Sequence, residues 1–393
     1  MDVARLRQET PGTDHVFHFN NAGASLMPKV VSDSLQSYLE EESLYGGYET
    51  AEAHKADLEA FYDVTAQLIN AKPSEIAFAE NATLAWTRIF YSIPFQKGDV
   101  ILTSRVEYAS NYIAYLQLEK RIGLQIRVVP SNEHGEIDIQ ALEAAIDDKV
   151  KLISITHMPT NSGLVNPAEE VGRIAAKYNI PFLLDACQSI GQYPVDVQAL
   201  KCDFLSATGR KYLRGPRGTG FLYVSEKYLN QIEPYTLDLH SARWTTKESY
   251  EVRPDARKFE VWECYFAGKV ALSSAISYAR EIGMDNIWER IMKLSAALRN
   301  KLSSISGIQV KDIGRIKSGI ITFTVAGKSP NDIKDLLKKE RINVSVIKPD
   351  NTLIDSQGRD LTPMVRASIH YYNTEEEIDH FCQKLENIVV QIS

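Results

Sequence analysis

The feature that most constrains the fold is an alternation of short β-rich runs with stretches of helical periodicity. The runs are Ile76–Phe78, Asp99–Leu102, Gln125–Val129, Leu152–Thr156, Phe182–Leu184, Phe204–Ala207 and Gly220–Val224. Between them, segments such as Asp138–Ile146 and Pro167–Tyr178 repeat apolar residues at spacings of three and four, as a helix with one buried face does. Strand, helix and strand at this spacing form crossover units, which place their strands in parallel. An α/β fold is expected, with a mostly parallel central sheet and helices on both faces.

Near Ile282–Asn286 the pattern changes. A long helical stretch from Asp285 to about Ile305 is followed by Val310, Gly319–Val325, a polar helix at Pro330–Glu340, Ile342–Ile347 and Met364–Ile369. This α+β order predicts a small C-terminal domain over 285–393, after a large domain over 21–284. The N-terminal segment, 1–20, could pack against either. A chain of 393 residues is too long for one small core, which agrees with this division.

Several function classes lose support from composition. A net charge of −7 argues against a nucleic-acid footprint, which needs a basic face. The four cysteines (Cys187, Cys202, Cys264, Cys382) have neither CxxC nor other metal-ligand spacing, and their sparseness fits a reducing compartment. MDVARLRQETPG has no apolar stretch like a signal peptide, and no run reaches the length of a membrane span. A cytoplasmic globular protein is expected.

In open parallel sheets ligands bind beyond the carboxyl ends of the strands. After Phe78 comes Ala79-Glu80-Asn81-Ala82-Thr83, a turn into a helix with amides and a hydroxyl suited to an anion. After Leu102 come Glu107 and Tyr108, a candidate stacking ring. After Thr156 comes His157-Met158-Pro159-Thr160-Asn161-Ser162-Gly163. Asp185 and Gln188 follow Leu184, and Thr208, Arg210 and Lys211 follow Ala207. Each has a plainer role when taken alone. Asp185 could cap a helix, Lys211 could be a solvated charge, Tyr108 a core ring, His157 a structural histidine, and the cysteines small buried residues.

The combination is more specific, because one cofactor would use all of it. Pyridoxal 5′-phosphate needs an amine to carry it, a carboxylate at its ring nitrogen, an aromatic lid and an anion cradle. The carboxylate is an electronic requirement, since it holds the ring nitrogen protonated. Such a charge-assisted bond belongs to the class of about 1.5–3 kcal/mol.

On these residues the chain resembles a class V aminotransferase-fold enzyme, in the cysteine desulfurase and isopenicillin-epimerase branch of the fold type I pyridoxal-phosphate superfamily. The resemblance runs from Asn20-Asn21-Ala22-Gly23 to Arg366-Ala367-Ser368 and Tyr372-Asn373-Thr374, and rests chiefly on Asp185-Ala186-Cys187-Gln188 followed by Gly209-Arg210-Lys211. It implies that Lys211 carries the cofactor, Asp185 bonds the pyridine nitrogen and Gln188 contacts the ring hydroxyl. Ala82, Thr83, Thr208 and Arg210 would form the phosphate cradle. Tyr108 stands where desulfurases usually have a histidine, and can still stack. Thr160 stands where members often have an asparagine near the ring hydroxyl. Arg366 matches the arginine that grips the substrate carboxylate. A homodimer with sites at the subunit interface is implied, with the Phe259–Glu263 region approaching the partner's site.

One departure affects the chemistry. Desulfurases carry a nucleophilic cysteine on a loop shortly before this arginine, yet from Ile342 to Val365 there is none. Cys382 lies beyond the arginine in the helical pattern Glu375–Ile388. A carbon–sulfur lyase that releases the sulfur fragment by β-elimination from a cysteine S-conjugate or sulfoxide is therefore expected. ENATLAW, HMPTNSG and ATGRKYLRGPRGTGFLYV look closest to the branch that includes hercynylcysteine sulfoxide lyase of ergothioneine synthesis. The alternatives are a cysteine desulfurase or selenocysteine lyase, or a class V aminotransferase or epimerase. Tyr45, Tyr48 and Trp86 are candidate aromatics for the substrate side chain.

Overall fold

The computed structural model describes residues 1–390. After a short strand β1 (Phe17–His18), the main sheet comprises β2 (Ile76–Ala79), β3 (Val100–Ser104), β4 (Gln125–Val129), β5 (Val150–Thr156), β6 (Phe182–Asp185), β7 (Phe204–Thr208) and β8 (Gly220–Val224). Its order is β2-β8-β7-β6-β5-β3-β4. Pairs β3–β4, β3–β5, β5–β6 and β6–β7 are parallel, and β8 alone runs against its neighbours β2 and β7. The central strands read as continuous apolar runs because helices cover both faces. Ile153, Ile155, Phe182 and Leu184 face one core, and Leu152, Leu183 and Phe204 the other. Each such side chain contributes about 1.5–3 kcal/mol relative to exposure.

An exposed hairpin, β9 (Ala242–Thr246) and β10 (Ser249–Val252), follows the sheet. Helices Phe266–Ile282 and Met284–Ser304 then lead to β11 (Ile308–Val310), β12 (Ile320–Val325), β13 (Ile342–Asn343), β14 (Ser345–Ile347) and β15 (Met364–Ser368). The second sheet has the order β11-β12-β15-β14 and is antiparallel throughout. Its core of Leu294, Leu298, Phe323, Leu337 and Phe381 is separate from that of the main sheet.

The N-terminal segment docks on this second sheet. β1 pairs in parallel with β13, and Phe19 stacks on Phe381 with ring centroids 4.8 Å apart. A bridge between Asn20 and Ser368 continues the attachment. Arg366 lies on central strand β15, opposite Thr322 on one side and Ser345 on the other. The segment before β15 is folded into a short 3-10 turn, Pro349–Thr352, and a helix, Leu353–Gly358.

Candidate active site

The carboxyl ends of β2, β3, β5, β6 and β7 surround a cavity of about 580 Å³. Ala82, Thr83, Tyr108, Thr160, Asp185, Gln188, Thr208, Arg210 and Lys211 all line it. On one side the helix Ala82–Phe90 begins directly beyond β2. Asn81 caps it, its Oδ1 accepting the Leu84 amide at 2.9 Å, so the first turn presents its amides and dipole to the cavity.

Asp185 is the last residue of β6 and is buried. Its Oδ1 accepts the Cys187 amide at 2.9 Å, and its Oδ2 accepts the Asn111 side-chain amide at 2.9 Å. Burial raises its pKa, opposed by those two hydrogen bonds and by the charge of Lys211. The Lys211 ammonium donates to the Cys187 sulfur at 3.3 Å. The backbone turn that delivers Lys211 depends on Gly209, where a Cβ would come 2.2 Å from Thr219 Oγ1. Arg210 donates to the Gly23 carbonyl.

Gln188 donates to the Ala22 carbonyl at 3.2 Å, while its buried Oε1 has no partner. Arg366 reaches the cavity wall from the second sheet and donates to Thr160 Oγ1. Its Nε is buried without a partner, and burial, with the nearby Arg210 charge, pushes its pKa down to about 10. Gly163 lets the Thr160 loop turn (φ 68°) and pass the Ile320 carbonyl, which a Cβ would approach to 2.5 Å.

Other expectations fare differently. His157 is buried outside the cavity lining, bonds Ser189 at 2.9 Å and has its pKa lowered to about 4 by burial, as a structural histidine would. Trp86 does not face the substrate space; it is a core residue stacked on Phe90 at 4.4 Å. Tyr45 and Tyr48 are exposed and lie outside the cavity lining. In the Phe259–Glu263 region, Phe259 and Glu260 are core residues and Trp262 is exposed. Cys187, read from the sequence as a small buried residue, lines the cavity beside Lys211. Asn111 and Thr156 were missed altogether, although Asn111 stands four residues after Glu107, a spacing that brings side chains together.

Residues 17–381 match the family described as aminotransferase class-V. The chain is 32% identical to a "Probable cysteine desulfurase" of Methanothermobacter thermautotrophicus, with 95% of each sequence covered. The apo structure of a cysteine desulfurase from Thermococcus onnurineus NA1 superposes with a TM-score of 0.92 at 26% identity, covering 99% of this chain and 98% of that one. A cystine C–S lyase, solved with its product cysteine persulfide, shares the fold at a TM-score of 0.87 and 22% identity, covering 96% of this chain and 99% of that one. With its mostly parallel α/β sheet and a match over nearly its whole length, the chain belongs to the class-V aminotransferase family.

Proposed function

We propose that the protein is a pyridoxal 5′-phosphate enzyme that cleaves the carbon–sulfur bond of cysteine or a simple cysteine S-conjugate, releasing pyruvate, ammonia and the sulfur fragment. The observation that carries this reading is a single cavity holding an amine, a buried carboxylate, an open helix N-terminus and an arginine. The residues fit the cofactor in their chemistry. Gln188 Oε1 is a buried acceptor without a donor, as a ring hydroxyl would supply. Thr83, Thr208, Arg210 and the amides of the helix Ala82–Phe90 form an anion site.

When bound, the cofactor supplies the electron sink that allows the Cα–H and Cβ–S bonds of an amino acid to break. Lys211 would hold the cofactor through its amine, and the same amine, when free, would take the α-proton. Asp185 would keep the proton on the ring nitrogen. Arg366 turns from Thr160 to the substrate carboxylate, where its fork makes two parallel bonds. Tyr108, which lines the cavity, would cover the ring.

Elimination without a persulfide is supported by the segment before Arg366. It has no thiol, and Asn161 ties it down by donating to the Lys348 carbonyl at 3.1 Å and to Thr352 Oγ1 at 3.0 Å. The desulfurase descriptions of the relatives favour cysteine or a small derivative over the larger sulfoxide suggested by the hercynylcysteine branch.

A desulfurase reading draws on those same relatives and on one further observation, the Cys187 thiol 3.3 Å from the Lys211 amine. The two readings part on the variant Cys187→Ala. Given cysteine, cystine and S-alkyl cysteines, a lyase lacking Cys187 still forms pyruvate and ammonia at a comparable rate. Alanine as product, with sulfur transfer lost in Cys187→Ala, would establish the desulfurase instead.

A further inference from the structure

Behind Asp185 lies a second buried carboxylate that the proposed reaction does not use. Glu107 Oε1 accepts the Tyr108 amide at 3.1 Å, Asn111 Nδ2 at 2.8 Å and Thr156 Oγ1 at 2.6 Å. Its Oε2 accepts the Thr156 amide at 3.0 Å and Thr103 Oγ1 at 3.1 Å. Two of these five donors are backbone N–H groups, which cannot turn round to accept, so the surroundings favour an anion. Burial pushes the Glu107 pKa up to about 7, with a smaller contribution from the charge of Asp185, against the hydrogen bonds from Thr156, Asn111 and Thr103.

Asn111 stands between the two carboxylates. Its Nδ2 donates to Glu107 Oε1 at 2.8 Å and to Asp185 Oδ2 at 2.9 Å. A carboxamide NH₂ carries two hydrogens and no net charge, so it joins two anions without neutralising either. The same group can rotate by half a turn and present its oxygen, which would set acceptor against acceptor at Asp185. Glu107 opposes this, because the rotated amide would set its oxygen against Glu107 Oε1 as well, while Asp185 Oδ2 lost its donor, at a cost characteristic of unpaired buried groups.

We infer that Asn111, anchored by Glu107, is a positioning residue that orients Asp185 and keeps it ionised toward the cofactor ring nitrogen. The inference rests on the role proposed above for Asp185. The opposite oxygen of Asp185 is held only by the Cys187 amide among the described residues, so removal of Asn111 takes away one of the two hydrogen bonds that oppose burial and shifts Asp185 toward the neutral acid. A neutral Asp185 cannot hold a proton on the ring.

The test reconstitutes the full chain with pyridoxal phosphate isotopically labelled at the ring nitrogen. Nuclear magnetic resonance then separates protonated from unprotonated ring, and equilibrium dialysis gives the cofactor Kd. Wild type is expected to hold a protonated ring, and Asp185→Asn to lose that signature. Asn111→Ala and the isosteric Glu107→Gln should both move the resonance toward the unprotonated position and weaken cofactor binding by about tenfold. Tyr115→Phe is the control. This buried side chain bonds Ser154 at 2.8 Å instead of either carboxylate, and its loss should leave the resonance in place. Either folded variant, Asn111→Ala or Glu107→Gln, with a wild-type resonance and Kd overturns the inference while leaving the function intact. If Asp185→Asn itself leaves the ring protonated, the proposed role of Asp185 fails first. A resonance that moves equally in Tyr115→Phe would reduce Asn111 to a packing residue.

Discussion

The two ends of the main sheet both carry cavities, and the larger is not the one with the chemistry. At the amino ends of β3, β5 and β6 lies a space of about 1140 Å³, bordered by Lys97, Asp99, Asp147, Asp148, Lys149 and Lys151. Its charges sit in loops or, for Lys151, at an exposed position of β5, and they face solvent or pair with a neighbouring side chain. Asp147, for example, pairs with Arg127 at 2.9 Å. Among the described residues none of its lining side chains has a buried polar atom without a partner. The cavity at the carboxyl ends is about 580 Å³, roughly half that size, yet its lining residue Gln188 keeps a buried Oε1 unpaired and Arg366, bonded to Thr160, keeps its Nε unpaired. The difference follows from strand direction. Carboxyl ends lead into helix N-termini, which aim amides at a ligand, whereas amino ends receive the chain from helix C-termini. Between these two cavities, unfinished polarity picks out the site where volume does not.

The largest effect that this contrast predicts is at Lys211. Lys211→Ala should lose the covalently held cofactor and lower turnover by about 10²–10⁴-fold, the range for removing a positioned acid–base group. Borohydride reduction and peptide mapping of the wild type should place the label on Lys211. A label on another lysine would break the comparison at its strongest point.

The parts legible from sequence share a physical reason. All the main-sheet runs except the half-exposed edge strand β4 could be read because strands buried on both faces must be apolar, and in three of them the structure extends the carboxyl end to a polar residue, Ser104, Asp185 or Thr208. Those polar ends line or adjoin the cavity, so the site was readable where a buried strand stops. The hairpin β9–β10 was not, because its residues are largely exposed and show no buried alternation. Docking of β1 on β13 links Phe17 to Ile342, a pairing with no local signal. Trp86 shows a limit of composition, since an aromatic near the site can equally belong to the core behind it. Cys187 shows the converse, a small residue brought to the cavity by the turn after Asp185.

A smaller effect is expected at Arg366. Arg366→Lys keeps a cation but cannot form two parallel bonds to a carboxylate, so kcat/KM should fall roughly 10–100-fold, mainly through KM. The pH dependence has a definite sign. Burial lowers the Arg366 pKa to about 10, so the charged form that binds is complete below that pH and is lost as pH rises through it. Wild-type KM should therefore climb only near pH 10, while the lysine, subject to the same burial, loses its proton at lower pH. A KM in Arg366→Lys that is flat and equal to wild type across neutral and alkaline pH would remove Arg366 from substrate binding.

The smallest effect belongs to the larger cavity, and it is the sharpest test of the contrast. Asp148→Ala combined with Lys149→Ala removes two charges from its rim, both exposed and at the opposite end of the strands from Lys211. No buried partner is stranded by the change, since among the described residues neither side chain makes a hydrogen bond, and the backbone keeps both bonds of Lys149, its amide to Asp147 and its carbonyl from Val100. Surface changes of this kind shift free energies little, so kcat and KM should stay within about twofold of wild type. Cofactor titration monitored by absorbance should give an unchanged Kd, because the anion cradle lies at the other end of the strands. A tenfold or larger change would mean that the amino-end cavity is coupled to turnover. Charges that look merely solvated would then be part of the working molecule, and the rule that unfinished polarity marks the site would need a second kind of evidence.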